Sequence, residues 1–229
     1  WDAPRRRLWL VRDRVGKKPL YYSSRGGVLS FASELKALTV SSDFPRRIDV
    51  TALRMYLKYG YVPAPHTIFE DVRKLEPGHY LLCESGSVSI ARYWDPLDYV
   101  KAPSIISDFD AESRLEELLA TAVRQRLVAD VPLGAFLSGG IDSSLVVALM
   151  GEQRAAPVDT YTIRFEDAEY DESSHAAAVA KHLGTRHHER GCSDSEMLSA
   201  VDRIPDLFDE PFGDSSVIPT FIVSKAARE

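Results

Sequence analysis

Only two cysteines, Cys83 and Cys192, occur in the 229 residues, and they do not form a CxxC pair. A disulfide scaffold and a CxxC-type zinc site are thereby excluded, and both residues read as ordinary reduced thiols. No apolar run approaches the roughly 18 residues that a membrane-spanning helix needs. The amino terminus also lacks the charged-then-apolar order of a signal peptide. These absences set the expectation of a cytoplasmic protein with no membrane partner. Positive charge is not in excess: 28 Lys and Arg against 34 Asp and Glu give a net charge of −6. That balance argues against nucleic acid as the main partner. Neither phosphate-loop pattern, GxxxxGK[ST] or GxGxxG, is present. The chain has no initial methionine, beginning at Trp1, and stops at Glu229 in a helix-like stretch. It therefore reads as an excised fragment. Its length and its 45% hydrophobic content suit two small domains with real cores.

The most informative stretch is Val131 to Met150, VPLGAFLSGGIDSSLVVALM. Leu133 to Leu137 suit a buried parallel strand, Gly139 and Gly140 suit a tight turn, and Asp142, Ser143 and Ser144 suit the opening of a helix. A helix start behind a glycine turn presents unpaired N–H groups and the positive end of the helix dipole, so a phosphate or pyrophosphate is its natural guest. The hydroxyls of Ser138, Ser143 and Ser144 are candidate extra donors. A carboxylate beside a polyphosphate repels it unless a divalent cation intervenes, which makes Asp142 a candidate Mg²⁺ ligand.

Ser138-Gly139-Gly140-Ile141-Asp142-Ser143 resembles the SGGxDS signature of the ATP pyrophosphatases, enzymes that split ATP into AMP and pyrophosphate to activate a carbonyl or carboxylate. A second block, Arg12 to Tyr22 (RDRVGKKPLYY) with Phe31 to Leu38 (FASELKAL), resembles the last strands of a glutaminase domain. Ile48 to Asp95, with GYVPAPHTIF, KLEPGHYL and YWDP, resembles the segment that follows it. Together the blocks resemble the glutamine-dependent asparagine synthetase family, in which a class II glutamine amidotransferase is fused to an SGGxDS synthetase. The resemblance implies an α/β chain: a parallel-sheet, adenine nucleotide α-hydrolase-like synthetase domain preceded by an antiparallel α+β remnant of a glutaminase domain. It implies ATP and Mg²⁺, with Asp142 as the catalytic and metal residue. The nucleotide would lie against Phe136, Leu137, Ser138, Gly139, Gly140, Ser143, Ser144 and Ile163. Glutamine hydrolysis in the family depends on an amino-terminal cysteine, so the resemblance implies no glutaminase activity for this stretch. The family's second pyrophosphate loop, of the SGxGxDE kind, also does not occur here, which implies a disabled adenylation step.

The remaining residues favour plain structural readings. Arg7 to Val11, Leu20 to Tyr22 and Val28 to Ala32 read as three strands of one antiparallel sheet. The charged turn from Arg12 to Pro19 reads as salt-bridged rather than functional. Ser33 and Asp49 are candidate helix N-caps, and Val72 to Trp94 reads as strands and a hairpin. Residues 96–110 look like a linker, dividing the chain into domains 1–95 and 111–229, with a helix over 111–129. Asp159 to Phe165 is a second strand, rich in β-branched and aromatic residues, and its carboxyl end at Ile163 belongs beside any nucleotide held by the first. Glu172 to Leu183 is a helix closed by Gly184, and Ser193 to Ile204 is another. His187 and His188 are adjacent on a strand, so they face opposite ways and do not make a metal pair. The acidic stretch Asp206 to Ser216 feeds a last helix, Val217 to Arg228, and Asp214, Ser215 and Ser216 are candidate contacts for a substrate amine or carboxylate. Ordinary capping explains those three residues nearly as well.

The expected chemistry is amidation of a carboxylate through an acyl-adenylate, aspartate to asparagine with ammonia from glutamine. Competing readings are another carboxylate acceptor, a tRNA-modifying pyrophosphatase, and a non-catalytic nucleotide-binding remnant. A second copy of the chain remains open as a partner.

Overall fold

The computed structural model describes residues 1–100, 107–167, 169 and 171–229. The chain forms two compact units, Trp1–Pro103 with Ile204–Asp214, and Ser104–Arg203 with Ser215–Glu229.

In the first unit, β1 (Arg7–Val11), β2 (Tyr21–Arg25) and β3 (Val28–Ala32) are followed by a single helical turn, α1 (Leu35–Leu38), and by α2 (Val50–Tyr59). Then come β4 (Arg73–Lys74), β5 (His79–Glu84), β6 (Ser87–Arg92) and a 3₁₀ turn over Pro96–Tyr99. The three early strands do not share a sheet. β1 pairs with β5 in the order β1-β5-β6, whereas β2 sits between β3 and β4, and all of these pairings are antiparallel. Arg12 explains the separation: its guanidinium donates to the carbonyls of Leu75, Gly16 and Lys18, and the carboxylate of Asp13 accepts the N–H groups of Lys17 and Lys18. The charged turn is thus a structural corner that carries the chain from one sheet to the other. Those two N–H groups hold the Asp13 carboxyl below its ordinary value.

Asp49 caps α2 as its sequence suggests, accepting from Thr51 and Ala52, and Gly60 closes the helix in the left-handed conformation. Ser33 is not the cap of α1. The N-cap position is Glu34, whose side chain makes no capping bond, and the Leu35 N–H instead donates to Asp209, far along the chain. The buried core of this unit gathers Tyr21, Leu35, Leu38, Ala52, Val62, Ile68 and Val72 around α1 and α2. Leu10, Leu75 and Leu81 lie buried between strands.

The second unit opens with α3 (Asp108–Arg126), capped by Ser107, so the expected linker over 96–110 is already helical at its far end. Residues 101–106 of that linker lie outside the described residues. Then follow β7 (Gly134–Phe136), α4 (Ile141–Glu152), β8 (Asp159–Phe165), α5 (Ser173–Leu183), β9 (Arg186–Cys192), α6 (Asp194–Val201), the short turn α7 (Ile204–Leu207) and α8 (Val217–Arg228). β7, β8 and β9 form a parallel sheet in that order. β7 is shorter and more open than the apolar run implied: it is an edge strand of three residues, and Phe136 is 49% exposed. Leu137, Val147, Ala176 and Ala180 join α4 and α5 to one side of β7. Ile163, Cys192, Ile222 and Val223 join α8 to β8 and β9.

Residues 204–214 fold with the first unit rather than with the helices on either side of them. Asp209 takes the Leu35 N–H and pairs with Lys36 at 3.3 Å. Glu210 takes the Ile68 N–H at 2.7 Å and pairs with Lys74 at 2.5 Å. Gly213 donates to the Gly60 carbonyl at 2.7 Å, which ties the segment to the end of α2.

Candidate functional site

The turn after β7 is built by its own small residues. Gly139 has φ +81°, and a Cβ there would come within 2.7 Å of both the Ala176 nitrogen and the His175 Cβ, so only glycine lets the turn seat against α5. Gly140 is the N-cap of α4 and has no side chain to offer its first turn. By contrast, Asp49, Ser107 and Ser193 bond the first turns of α2, α3 and α6. Helix geometry leaves the leading N–H groups of α4 without intrahelical acceptors, so this end is electropositive.

The three serine hydroxyls bond within the loop. Ser144 Oγ donates to the Gly140 carbonyl at 2.7 Å, and Ser143 Oγ donates to the same oxygen at 3.2 Å. Ser138 Oγ lies 3.0 Å from Ser143 Oγ and accepts the Gly140 N–H at 3.3 Å. These bonds fix the curvature of the loop. Asp142 stands in the exposed first turn of α4.

Beside the loop lies a cleft of about 210 Å³ at the carboxyl ends of β7 and β8. Phe136, Leu137, Ser138 and Ile163, four residues singled out by the sequence, line it together. Leu137 is almost fully buried and Ile163 is 8% exposed, so both also serve the core. The Leu137 N–H is used by the Tyr161 carbonyl at 2.9 Å. Pro219, Thr220 and Val223 of α8 form the opposite wall. The sequence reading missed Tyr161, Glu172 and these α8 residues. Glu172 is the one charged side chain among the described residues that line the cleft, and its N-cap position at α5 is the signal that could have placed it near the glycine turn.

Asp214, Ser215 and Ser216 do not gather at that cleft. Asp214 ends the segment that folds with the first unit, and Ser215 begins the return to the second. Ser216 occupies the N-cap position of α8, and its side chain makes no capping bond to the first turn. The acidic pair just before them is committed to Leu35, Lys36, Ile68 and Lys74 and serves structure. A cavity of about 390 Å³ in the first unit includes Tyr21, Lys36, Lys74, Asp209 and Glu210. Burial, with the Glu210 and Asp209 charges, pushes the Tyr21 hydroxyl up to about 12.

His187 and His188 point apart, as expected of strand neighbours: the first bonds Thr160, the second Asp159. Among the described residues, no group of three or more His, Cys, Asp or Glu could hold a metal ion. Nor is any helix among them long and apolar enough to cross a membrane. Both cysteines are free thiols.

Residues 114–229 match the family model described as Asparagine synthase, and residues 1–94 match the Glutamine amidotransferase domain. The chain belongs to the asparagine synthase family. Across its full length it is 34% identical to a putative glutamine-hydrolysing asparagine synthetase of Methanocaldococcus jannaschii, covering 45% of that protein. It is 31% identical to a glutamine-hydrolysing asparagine synthetase of Bacillus subtilis over 100% of the chain and 36% of the relative. An amidase of Gibberella zeae, chry2, is 33% identical over 82% of the chain and 30% of its own length. The chain thus spans less than half the length of these relatives. For this member of the asparagine synthase family, the two matched domains follow each other in the order that its motifs imply.

Proposed function

We propose that the intact protein activates a carboxylate with ATP and passes ammonia to it, with aspartate as acceptor, glutamine as the ammonia source and the cytoplasm as its location. The observation that carries this reading is the uncapped amino end of α4, seated by Gly139 beside a cleft that four predicted residues line. We read the parallel layer as an adenine nucleotide α-hydrolase-like synthetase domain and the antiparallel layer as the glutaminase remnant. The domain division near residues 96–110 belongs to the same reading.

In this scheme the first-turn N–H groups of α4 hold the pyrophosphate portion of ATP, and the Ser138, Ser143 and Ser144 hydroxyls keep the turn in shape. The nucleoside lies in the cleft against Phe136, Leu137 and Ile163. The acceptor carboxylate attacks the α-phosphorus, the bond to pyrophosphate breaks, and an acyl-adenylate results. Ammonia then attacks the acyl carbon, AMP leaves with the bonding pair, and the surplus ammonium proton is released. Mg²⁺ suits Asp142, because that ion commonly takes one or two carboxylates together with substrate phosphates. Asp142 would hold the ion there, and its charge would offset that on the departing pyrophosphate. Asp142 is exposed and stands in the first turn of α4, at the electropositive helix end. The net charge of −6 favours small-molecule substrates over nucleic acid.

Asp142→Ala in the intact protein is expected to abolish ATP–pyrophosphate exchange, and unchanged exchange would overturn the assignment. A different carboxylate acceptor is the second reading, favoured by the similarity to the Gibberella amidase and by a DEPFGDSS segment without arginine. Product analysis with a panel of carboxylates separates the two.

A further inference from the structure

We propose that Tyr161 is a further substrate-contacting residue, a fixed aromatic wall for the nucleobase, and that His188 is its positioning residue. The inference rests on the nucleotide reading of the cleft given above. Tyr161 sits mid-strand in β8, with Phe136 of β7 and His188 of β9 as its register partners. Register partners in a parallel sheet share a face, so three rings form a row across all three strands. The Tyr161 and His188 rings stack with centroids 4.8 Å apart and planes 17° apart. His188 Nε2 is tied to Asp159 Oδ1 at 2.9 Å, and Arg186 reaches the same carboxylate at 3.2 Å. The hydrogen bond from His188 is the chief reason that the Asp159 carboxyl lies below its ordinary value.

The other flank is closed by a glycine. A Cβ on Gly134 would lie 2.6 Å from Tyr161 Cε2 and 2.8 Å from the Asp159 carbonyl oxygen. Gly134 therefore gives the ring its place, and His188 stops it from swinging towards β9. Held on both sides, the ring still borders the cleft, together with Phe136, Ile163 and the α8 wall at Pro219 and Val223. A flat, half-buried ring fixed before binding loses little rotamer freedom when a purine packs against it. Core packing alone does not require the Asp159–His188 tether.

Steady-state ATP–pyrophosphate exchange by the intact protein tests this, with thermal melting to verify folding. Tyr161→Ala is expected to raise KM for ATP roughly three- to tenfold, the scale of one aromatic contact, with kcat unchanged. Tyr161→Leu, which keeps bulk but not the flat ring, is expected to raise KM in the same direction. Tyr161→Phe, which keeps the flat ring, should raise KM less than Tyr161→Leu. His188→Ala should raise KM less than Tyr161→Ala, His188→Phe should restore it by restoring the stack, and the Tyr161→Ala, His188→Ala double variant should be no worse than Tyr161→Ala alone. A wild-type KM in both Tyr161→Ala and Tyr161→Leu, or additive effects of the two alanine substitutions, overturns the inference and leaves the nucleotide reading standing. Absence of exchange in the wild type overturns both.

Discussion

The carboxylate of Asp209 accepts the backbone N–H of Leu35 at 2.5 Å, although 174 positions separate them in the chain. Leu35 is fully buried and opens a helical turn whose own N-cap residue supplies no capping bond. Asp209 therefore does the work of an N-cap from the far end of the sequence. Asp209→Ala is expected to cost about 1–2 kcal/mol, the scale of a lost cap, and Asp209→Asn, which keeps the acceptor oxygen, less. Urea unfolding of the three proteins measures the difference, and equal losses from Ala and Asn would show that the charge opposite Lys36 matters more than the cap.

Glu210 carries a heavier obligation. Its side chain is 10% exposed, that of Lys74 is 14% exposed, and they meet at 2.5 Å. Each also bonds the backbone: Glu210 takes the Ile68 N–H, and Lys74 donates to the Val62 carbonyl at 2.6 Å. Removing one partner leaves a poorly solvated charge behind, so Lys74→Met or Glu210→Gln alone is expected to cost about 3–5 kcal/mol. The double variant should be clearly less unstable than the two losses added together. A denaturation double-mutant cycle with no coupling would contradict this account of the pair.

These two contacts also mark where the sequence stopped being legible. Local chemistry announced the Asp49 cap, the Gly184 stop, the glycine turn after β7 and the strand at Asp159, because each depends on neighbours within a few residues. The cleft followed from the topology, since strand, helix and parallel strand place Leu137 and Ile163 at adjacent carboxyl ends. The docking of residues 204–214 on the first unit was not readable, since an acidic loop carries no mark of the distant N–H groups that it satisfies. For the same reason Ser33 looked like a cap and was not one. Tyr161 was hidden because its β-forming character already accounted for it, and its flanking by Gly134 and His188 exists only in register.

Gly139 offers a sharper test of the loop than any polar residue in it. Alanine there meets two separate obstacles, the left-handed backbone at φ +81° and contacts of 2.7 Å with α5. Gly184 supplies the control, since its φ is +65° but nothing lies within 4 Å of its would-be Cβ. Gly184→Ala is expected to cost about 1–2 kcal/mol from backbone strain alone. Gly139→Ala should cost more and also weaken Mg·ATP binding, read by calorimetry on the intact protein. Equal destabilisation with unaltered binding would mean that the loop yields without consequence.

His187 gives the second unit an acid-side weakness with a definite sign. Its Nδ1 lies 2.9 Å from Thr160 Oγ1, itself shared with Thr185, while Nε2 is buried with no hydrogen-bond partner among the described residues. Burial pushes the imidazole below its ordinary value, outweighing the Glu189 charge that pulls the other way, and His188 adds to the lowering. A folded value below the unfolded one means that the unfolded chain takes up a proton first as the pH falls. Stability is therefore unaffected by this residue well above its unfolded value of about 6.5, and declines from there down to the lower folded value. Urea midpoints at pH 7.5 and 5.5 should accordingly differ more in the wild type than in His187→Gln, which cannot titrate. If the variant loses as much stability between those two conditions as the wild type does, His187 is not the group responsible.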